Sequence, residues 1–114
     1  MLEKLTTDPS VVTIANMKPI ELLRQRIVYS EHQFAELVLW RVMEPVAKSE
    51  HLFKYRLAYV VKGQCVLRYD NEAGKGDHRH WGDRETDYVF TSPEKLLADF
   101  QQDIERWNHE NGYS

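Results

Sequence analysis

The residues most able to do chemistry crowd into one short stretch, Tyr69-Asp70-Asn71-Glu72-Ala73-Gly74-Lys75-Gly76-Asp77-His78-Arg79-His80. It holds every ionisable type useful near neutral pH except cysteine, two glycines, and no aliphatic side chain larger than Ala73. His78 and His80 stand two apart, so in an extended backbone both point the same way. Imidazoles placed like this can share one phosphate or one metal ion. Asp70, Glu72 and Asp77 supply carboxylates nearby, and Arg56, Arg68, Lys75 and Arg79 supply cations.

Two chemistries fit. The first is metal-independent cleavage of RNA, in which one histidine accepts the 2′-hydroxyl proton and the other protonates the leaving oxygen. Lys75 or Arg68 would stabilise the charge that builds on the phosphate. On this reading His78, His80, Lys75 and Asp70 are the catalytic candidates. Arg56, Arg68, Asn71, Asp77, Arg79 and Trp81 are the substrate-binding ones, with Trp81 able either to cap the core or to stack on a base. No cofactor is required. The second chemistry is a divalent metal held by His78, His80 and an aspartate, although the spacing lacks the sharpness of the strong zinc motifs. The plainest reading stands beside both: loop histidines and aspartates often only hydrogen-bond the backbone and shape turns. Gly74-x-Gly76 is a weak phosphate-loop signal, since it lacks a third glycine and opens no helix.

The rest of the chain must position this stretch. With 114 residues, 42% hydrophobic and 29% charged, it is long enough for one core without disulfides. The single cysteine, Cys65, sits in an apolar run and reads as a small buried hydrophobe. No apolar run is long enough to span a bilayer and Met1-Leu2-Glu3-Lys4 does not open a signal peptide, so the expected location is cytoplasmic, with no membrane partner. Net charge is −3 but uneven. Six Lys/Arg face three Asp/Glu between Lys54 and His80, and three face eight between Asp83 and Glu110. This is either two solvated faces or a nucleic-acid-facing middle with an acidic back.

Residues 1–17 read as an N-terminal extension, a loose tail or an added edge strand, and Met17 could serve as an internal start. Residues 18–110 read as one domain and 111–114 as a tail. Residues 21–42 alternate as a hairpin with its tip at Ser30-Glu31-His32. A three-residue loop there pairs Tyr29 with Gln33, Arg26 with Glu36 and Glu21 with Arg41. Residues 43–53 form a connection broken by Pro45. Residues 54–70 form a second hairpin about Lys62-Gly63-Gln64. It pairs Tyr59 with Leu67 and Leu57 with Tyr69 on a dry face, and Arg56 with Asp70 and Lys54 with Glu72 on a charged face. The polar stretch continues to Glu85, and Thr86–Phe90 is a short strand. Ser92-Pro93-Glu94 then starts a helix that runs to about Asn108. Leu96, Leu97, Phe100, Ile104 and Trp107 form its apolar face, Asp99, Asp103, Glu105 and Arg106 lie outside, and Asn111-Gly112 ends it. The predicted fold is α+β: an antiparallel sheet of about five strands with a C-terminal amphipathic helix on one face.

Three segments carry a family resemblance: Phe53 to Val61, Arg68 to His80, and Phe90 to Phe100. Together they resemble the TumE-type toxins of bacterial toxin–antitoxin pairs, over about Ile20 to Trp107. The Asp70-Asn71 to His78-x-His80 segment carries most of the likeness, and Arg68, Asp70, Asn71, Lys75, Asp77, His78 and His80 match the signature. The resemblance implies a small cytoplasmic toxin neutralised by an antitoxin with a helix-turn-helix domain. Toxins of such pairs often cleave RNA, which fits an endoribonuclease. The alternative is a non-enzymatic binding module that inhibits or recruits a protein partner. An exposed edge strand in either hairpin could pair with the antitoxin or with a second copy.

Overall fold

The computed structural model describes residues 18–72 and 74–113; the expected tail or edge strand at 1–17 lies outside the described residues. Six strands follow one another in space as in sequence: β1 (Ile20–Ser30), β2 (Gln33–Arg41), β3 (Phe53–Val61), β4 (Gln64–Asp70), β5 (His78–Trp81) and β6 (Arg84–Asp87). Every neighbouring pair is antiparallel. Helix α1 (Pro93–Glu110) crosses one face over β3 and β4.

The α+β class is as read from the sequence, with six strands in place of about five. The additional strand comes from the polar stretch. Gly82, at φ +61, takes the left-handed conformation in a Gly82-Asp83 turn, so the backbone reverses there. His78–Trp81 thereby joins the sheet, and the last strand is Arg84–Asp87 rather than Thr86–Phe90.

Both longer hairpins keep the expected register through their middles, by a different construction. Lys62 and Gly63 have φ of +52 and +79, which makes a two-residue turn, and Val61 pairs with Gln64. A bulge at Val66 adds the missing residue and restores Tyr59 opposite Leu67 and Arg56 opposite Asp70. The bulge also resets the alternation, which corrects the reading of Cys65: it faces Val60 on the side away from the helix and is exposed. In the first hairpin Arg26 faces Glu36 as expected. At the tip, however, Ser30 rather than Tyr29 pairs with Gln33, and a second irregularity near Leu22 sets Glu21 opposite Trp40 rather than Arg41. Glu72 lies beyond the end of β4, so it has no strand position opposite Lys54.

Tyr55, Leu57, Tyr59, Leu67 and Tyr69 from the sheet meet Leu96, Phe100 and Ile104 from α1 in the core. Burying each of the larger side chains contributes about 1.5–3 kcal/mol, an upper value because the unfolded chain is partly collapsed. The three tyrosines are fully buried yet each hydroxyl has a partner. Tyr55 donates to Asp77, Tyr59 to Asn108 and Tyr69 to Asp103. Ser92 caps α1 by accepting from the Lys95 amide, with Pro93 in the first turn.

Candidate active site

The pleat splits the polar stretch between two faces. On β5, Arg79 and Trp81 turn toward the helix, whereas His78 and His80 turn to the open face. Two adjacent rows cross that face from β1 to β6. One reads Arg24, Val38, Arg56, Asp70, His78, Asp87; the other reads Arg26, Glu36, Ala58, Arg68, His80, Glu85. The predicted His78, His80, Arg56, Arg68 and Asp70 therefore share one surface, with Lys75 reaching its rim.

His78 is held by its own loop. Its Nε2 lies 2.8 Å from the Lys75 carbonyl oxygen, which can only accept, so Nε2 carries the hydrogen. Nδ1 is left facing Glu85 Oε2 at 3.3 Å. His80 is set the other way: its Nε2 lies 3.1 Å from Arg68 Nη2. A guanidinium can only donate, so Nε2 accepts and the ring is neutral when this bond forms. Burial, reinforced by the Arg68 charge, holds the His80 pKa below the ordinary histidine value.

Glu85 joins these groups. Its Oε2 is 3.3 Å from Lys75 Nζ, 3.3 Å from His78 Nδ1 and 3.5 Å from His80 Nε2. Burial pushes the Glu85 carboxyl up, but Lys75, with His80 and His78, outweighs it and holds the group below the usual carboxylate value. Asp70 is buried, and its Oδ2 lies 2.8 Å from Arg68 Nε. The expected Arg56–Asp70 ion pair gives way to this Arg68 pair, although Arg56 does sit opposite Asp70 in the register. The Arg68–Asp70 contact is close but not aligned as a hydrogen bond. Among the described residues, Arg68 Nε and His78 Nδ1 are buried nitrogens without an aligned partner.

The other candidates build the frame. Asn71 is fully buried; its Oδ1 accepts from the Tyr55 amide, and its Nδ2 donates to the Phe53 carbonyl and to Ser49 Oγ. Asp77 accepts from Ser49 Oγ and Tyr55 Oη at 2.6 Å each and bonds His51 Nε2 at 2.7 Å. His51 Nδ1 accepts from the Phe53 amide, so its hydrogen is on Nε2 and points at Asp77. Burial, then the Asp77 bond, raises the Tyr55 pKa and keeps that hydroxyl protonated as a donor. These bonds clamp both ends of residues 71–77 to the 43–52 connection. Arg79 grips Asp103 on α1, and Trp81 lies under Arg106, whose guanidinium carbon is 4.2 Å from the ring centre. Trp81 thus stands on the helix side, away from His78 and His80. Among the described residues, no three His, Cys, Asp or Glu side chains gather closely enough to hold a metal ion.

A family model described as Toxin TumE matches residues 2–108. The chain belongs to the TumE toxin family. The match reaches back past Ile20, where the resemblance is expected to begin, and takes in most of the region before the sheet. Membership makes this protein the toxin component of a toxin–antitoxin pair and implies an antitoxin partner. No curated protein and no solved structure gives a match. Among the described residues, no helix is long and apolar enough to cross a membrane.

Glu85, Ser49 and His51 are not among the sequence candidates, and Asp103, expected outside the apolar face of the helix, is instead buried where it accepts from Tyr69 and Arg79. Two of these had signals. Gly82-Asp83 between extended runs marks a tight hairpin, and closing it pairs His80 with Glu85 and His78 with Asp87. Asp103 lies three residues after Phe100 and four before Trp107, on the stripe that faces the core.

Proposed function

We propose that this toxin cleaves RNA on the open face of β4–β6, with His78 and His80 as the acid/base pair. The supporting observation is their opposite setting on one strand: a carbonyl fixes the hydrogen on His78 Nε2, and a guanidinium fixes the lone pair on His80 Nε2. As Arg68 turns from His80 to the phosphate, the freed Nε2 lone pair of neutral His80 takes the proton of a ribose 2′-hydroxyl. The 2′-oxygen attacks phosphorus, the P–O5′ bond breaks, and protonated His78 gives its Nδ1 proton to the leaving 5′-oxygen. The products are a 2′,3′-cyclic phosphate and a 5′-hydroxyl, and no electron changes hands. Each proton transfer supplies about 10²–10⁴-fold in rate. Lys75 and Arg68 stabilise the extra negative charge on the phosphorane. A cleft of about 350 Å³ beside Lys75, walled by Lys48, His51 and Phe90, offers room for a neighbouring base. The reaction needs no cofactor. The antitoxin on this reading is a helix-turn-helix protein, and both act in the cytoplasm.

The test is RNA integrity after brief induction in cells, wild type against His80→Ala at matched soluble levels. The expected result is RNA broken by wild type only, with cyclic phosphate ends. Intact RNA in both, while wild type still arrests growth, would overturn the nuclease reading and favour a protein target.

A further inference from the structure

Three nitrogen groups approach a single oxygen of Glu85: Lys75 Nζ, His78 Nδ1 and His80 Nε2, all between 3.3 and 3.5 Å. These are long for charge-assisted hydrogen bonds, which close to about 2.7–2.9 Å. Neither histidine contact is aligned as one, and His78 Nδ1 stays buried without a directed partner. With His80 accepting from Arg68, its Nε2 has no hydrogen to offer Glu85. The carboxylate therefore stands between Lys75 and the buried His78 Nδ1 without filling the space they share. One planar carboxylate oxygen cannot satisfy several directions at once. A tetrahedral phosphate presents separate oxygens to each side.

We propose that this space is a phosphate-binding site and that Glu85 is a built-in substitute anion, which must swing aside before a phosphate can enter. The proposal rests on the reading of this face as the RNA-cleaving one, and names how that site is kept closed. Glu85 suits the task physically. It projects from β6, a four-residue strand exposed along its length, and its side chain is 34% accessible, so it can rotate into solvent without disturbing the core. Buried Asp70, tied to Arg68, cannot do so. Asp87 lies on the same strand and face but stays 3.8 Å from His78 Nδ1 and is 93% accessible, outside that space. An anion held inside a cationic site keeps Lys75 and His78 positioned while repelling any polyanion that does not bring enough contacts to displace it. The site would thus discriminate in favour of a phosphodiester anchored elsewhere on the basic rows, at Arg56 or Arg68, over free phosphate.

The experiment titrates inorganic phosphate into purified full-length wild type, Glu85→Gln and Asp87→Asn, following the histidine ring resonances, with circular dichroism to establish folding. Glu85→Gln should bind phosphate about tenfold tighter than wild type, with shifts at His78 and His80. Asp87→Asn should change affinity by less than about twofold, because its exposed charge is screened. Equal affinities in wild type and Glu85→Gln, or equal tightening by both substitutions, would overturn the proposal. Glu85→Ala, assayed in parallel, must tighten binding as Glu85→Gln does. Tight phosphate binding by Glu85→Gln with no RNA cleavage by wild type would sink the nuclease reading alone. RNA cleavage by wild type with unchanged phosphate affinity in Glu85→Gln would sink only the present proposal.

Discussion

Arg79 on β5 grips Asp103 on α1 with two parallel hydrogen bonds, Nε to Oδ2 at 2.7 Å and Nη2 to Oδ1 at 2.8 Å. Tyr69 donates to the same Oδ2 at 2.7 Å. The strand that presents His78 and His80 on one face is thereby fastened to the helix on the other. Asp103→Ala leaves the Arg79 charge and the buried Tyr69 hydroxyl without this partner. It should destabilise the fold by about 2–4 kcal/mol, somewhat below a fully buried pair because Arg79 is partly exposed. Urea unfolding of the two proteins checks this, and a loss under about 1 kcal/mol would mean that the pair is not holding β5 to α1.

Asp77 should be the most sensitive position of the polar loop. It accepts from Ser49 and Tyr55 and is bonded to His51, so one side chain joins the 43–52 connection, β3 and the loop that carries Lys75. Asp77→Ala leaves the fully buried Tyr55 hydroxyl and the half-buried His51 without this partner, at a cost of about 2–4 kcal/mol. The loop amides of residues 74–78 should lose hydrogen-exchange protection before the rest of the sheet does. Uniform loss across all strands would argue against a local clamp.

Gly76 should tolerate no side chain. Its φ of +88 lies in the left-handed region, and a Cβ there would come within 3.0 Å of the Lys48 carbonyl oxygen. Gly76→Ala meets both the strain and a backbone atom, and should destabilise by about 1–3 kcal/mol. Gly74→Ala, with similar φ but open space around it, should cost only the conformational part, about 1 kcal/mol. Thermal melts of both variants test the difference.

The fold was legible where alternation and caps agree. Tyr55, Leu57 and Tyr59 against Leu67 and Tyr69 fix the β3–β4 register, because a one-residue slip would put Leu57 opposite Arg68. The Ser92-Pro93 start of α1 is equally explicit. Cys65 was misread because the Val66 bulge reverses which face it takes, and nothing local to Cys65 reports a bulge. β5 was hidden by composition: His78, Arg79 and His80 lack the aliphatic and β-branched residues of ordinary strands, and they pair because Tyr69 and the Gly82 turn place them beside β4. His78 and His80 could be singled out from spacing alone. That Asn71 and Asp77 are fully engaged in the frame depends on Ser49, His51 and Tyr55, which stand 16 to 28 residues away in sequence.

The Arg68–His80 contact sets the final prediction, in pH. Burial and the Arg68 charge lower the His80 pKa, so its folded value lies below the unfolded value of about 6.5. Neutral His80 is the form the folded state favours. Its contribution to stability is fully present above about pH 6.5 and is lost as the pH falls through the lowered folded value. The same protonation removes the base in the proposed cleavage, so kcat/KM for RNA should rise with pH along a limb whose midpoint lies below 6.5. Arg68→Gln removes the charge but not the burial, and should move that midpoint part of the way back toward 6.5. His80→Gln should erase the stability difference between pH 7 and pH 5 that this group contributes. Ring-proton titration of His80 in wild type and in Arg68→Gln reads the same shift without any activity assay. A midpoint that fails to move in Arg68→Gln would mean that burial alone sets the His80 charge state, and that Arg68 acts only on the phosphate.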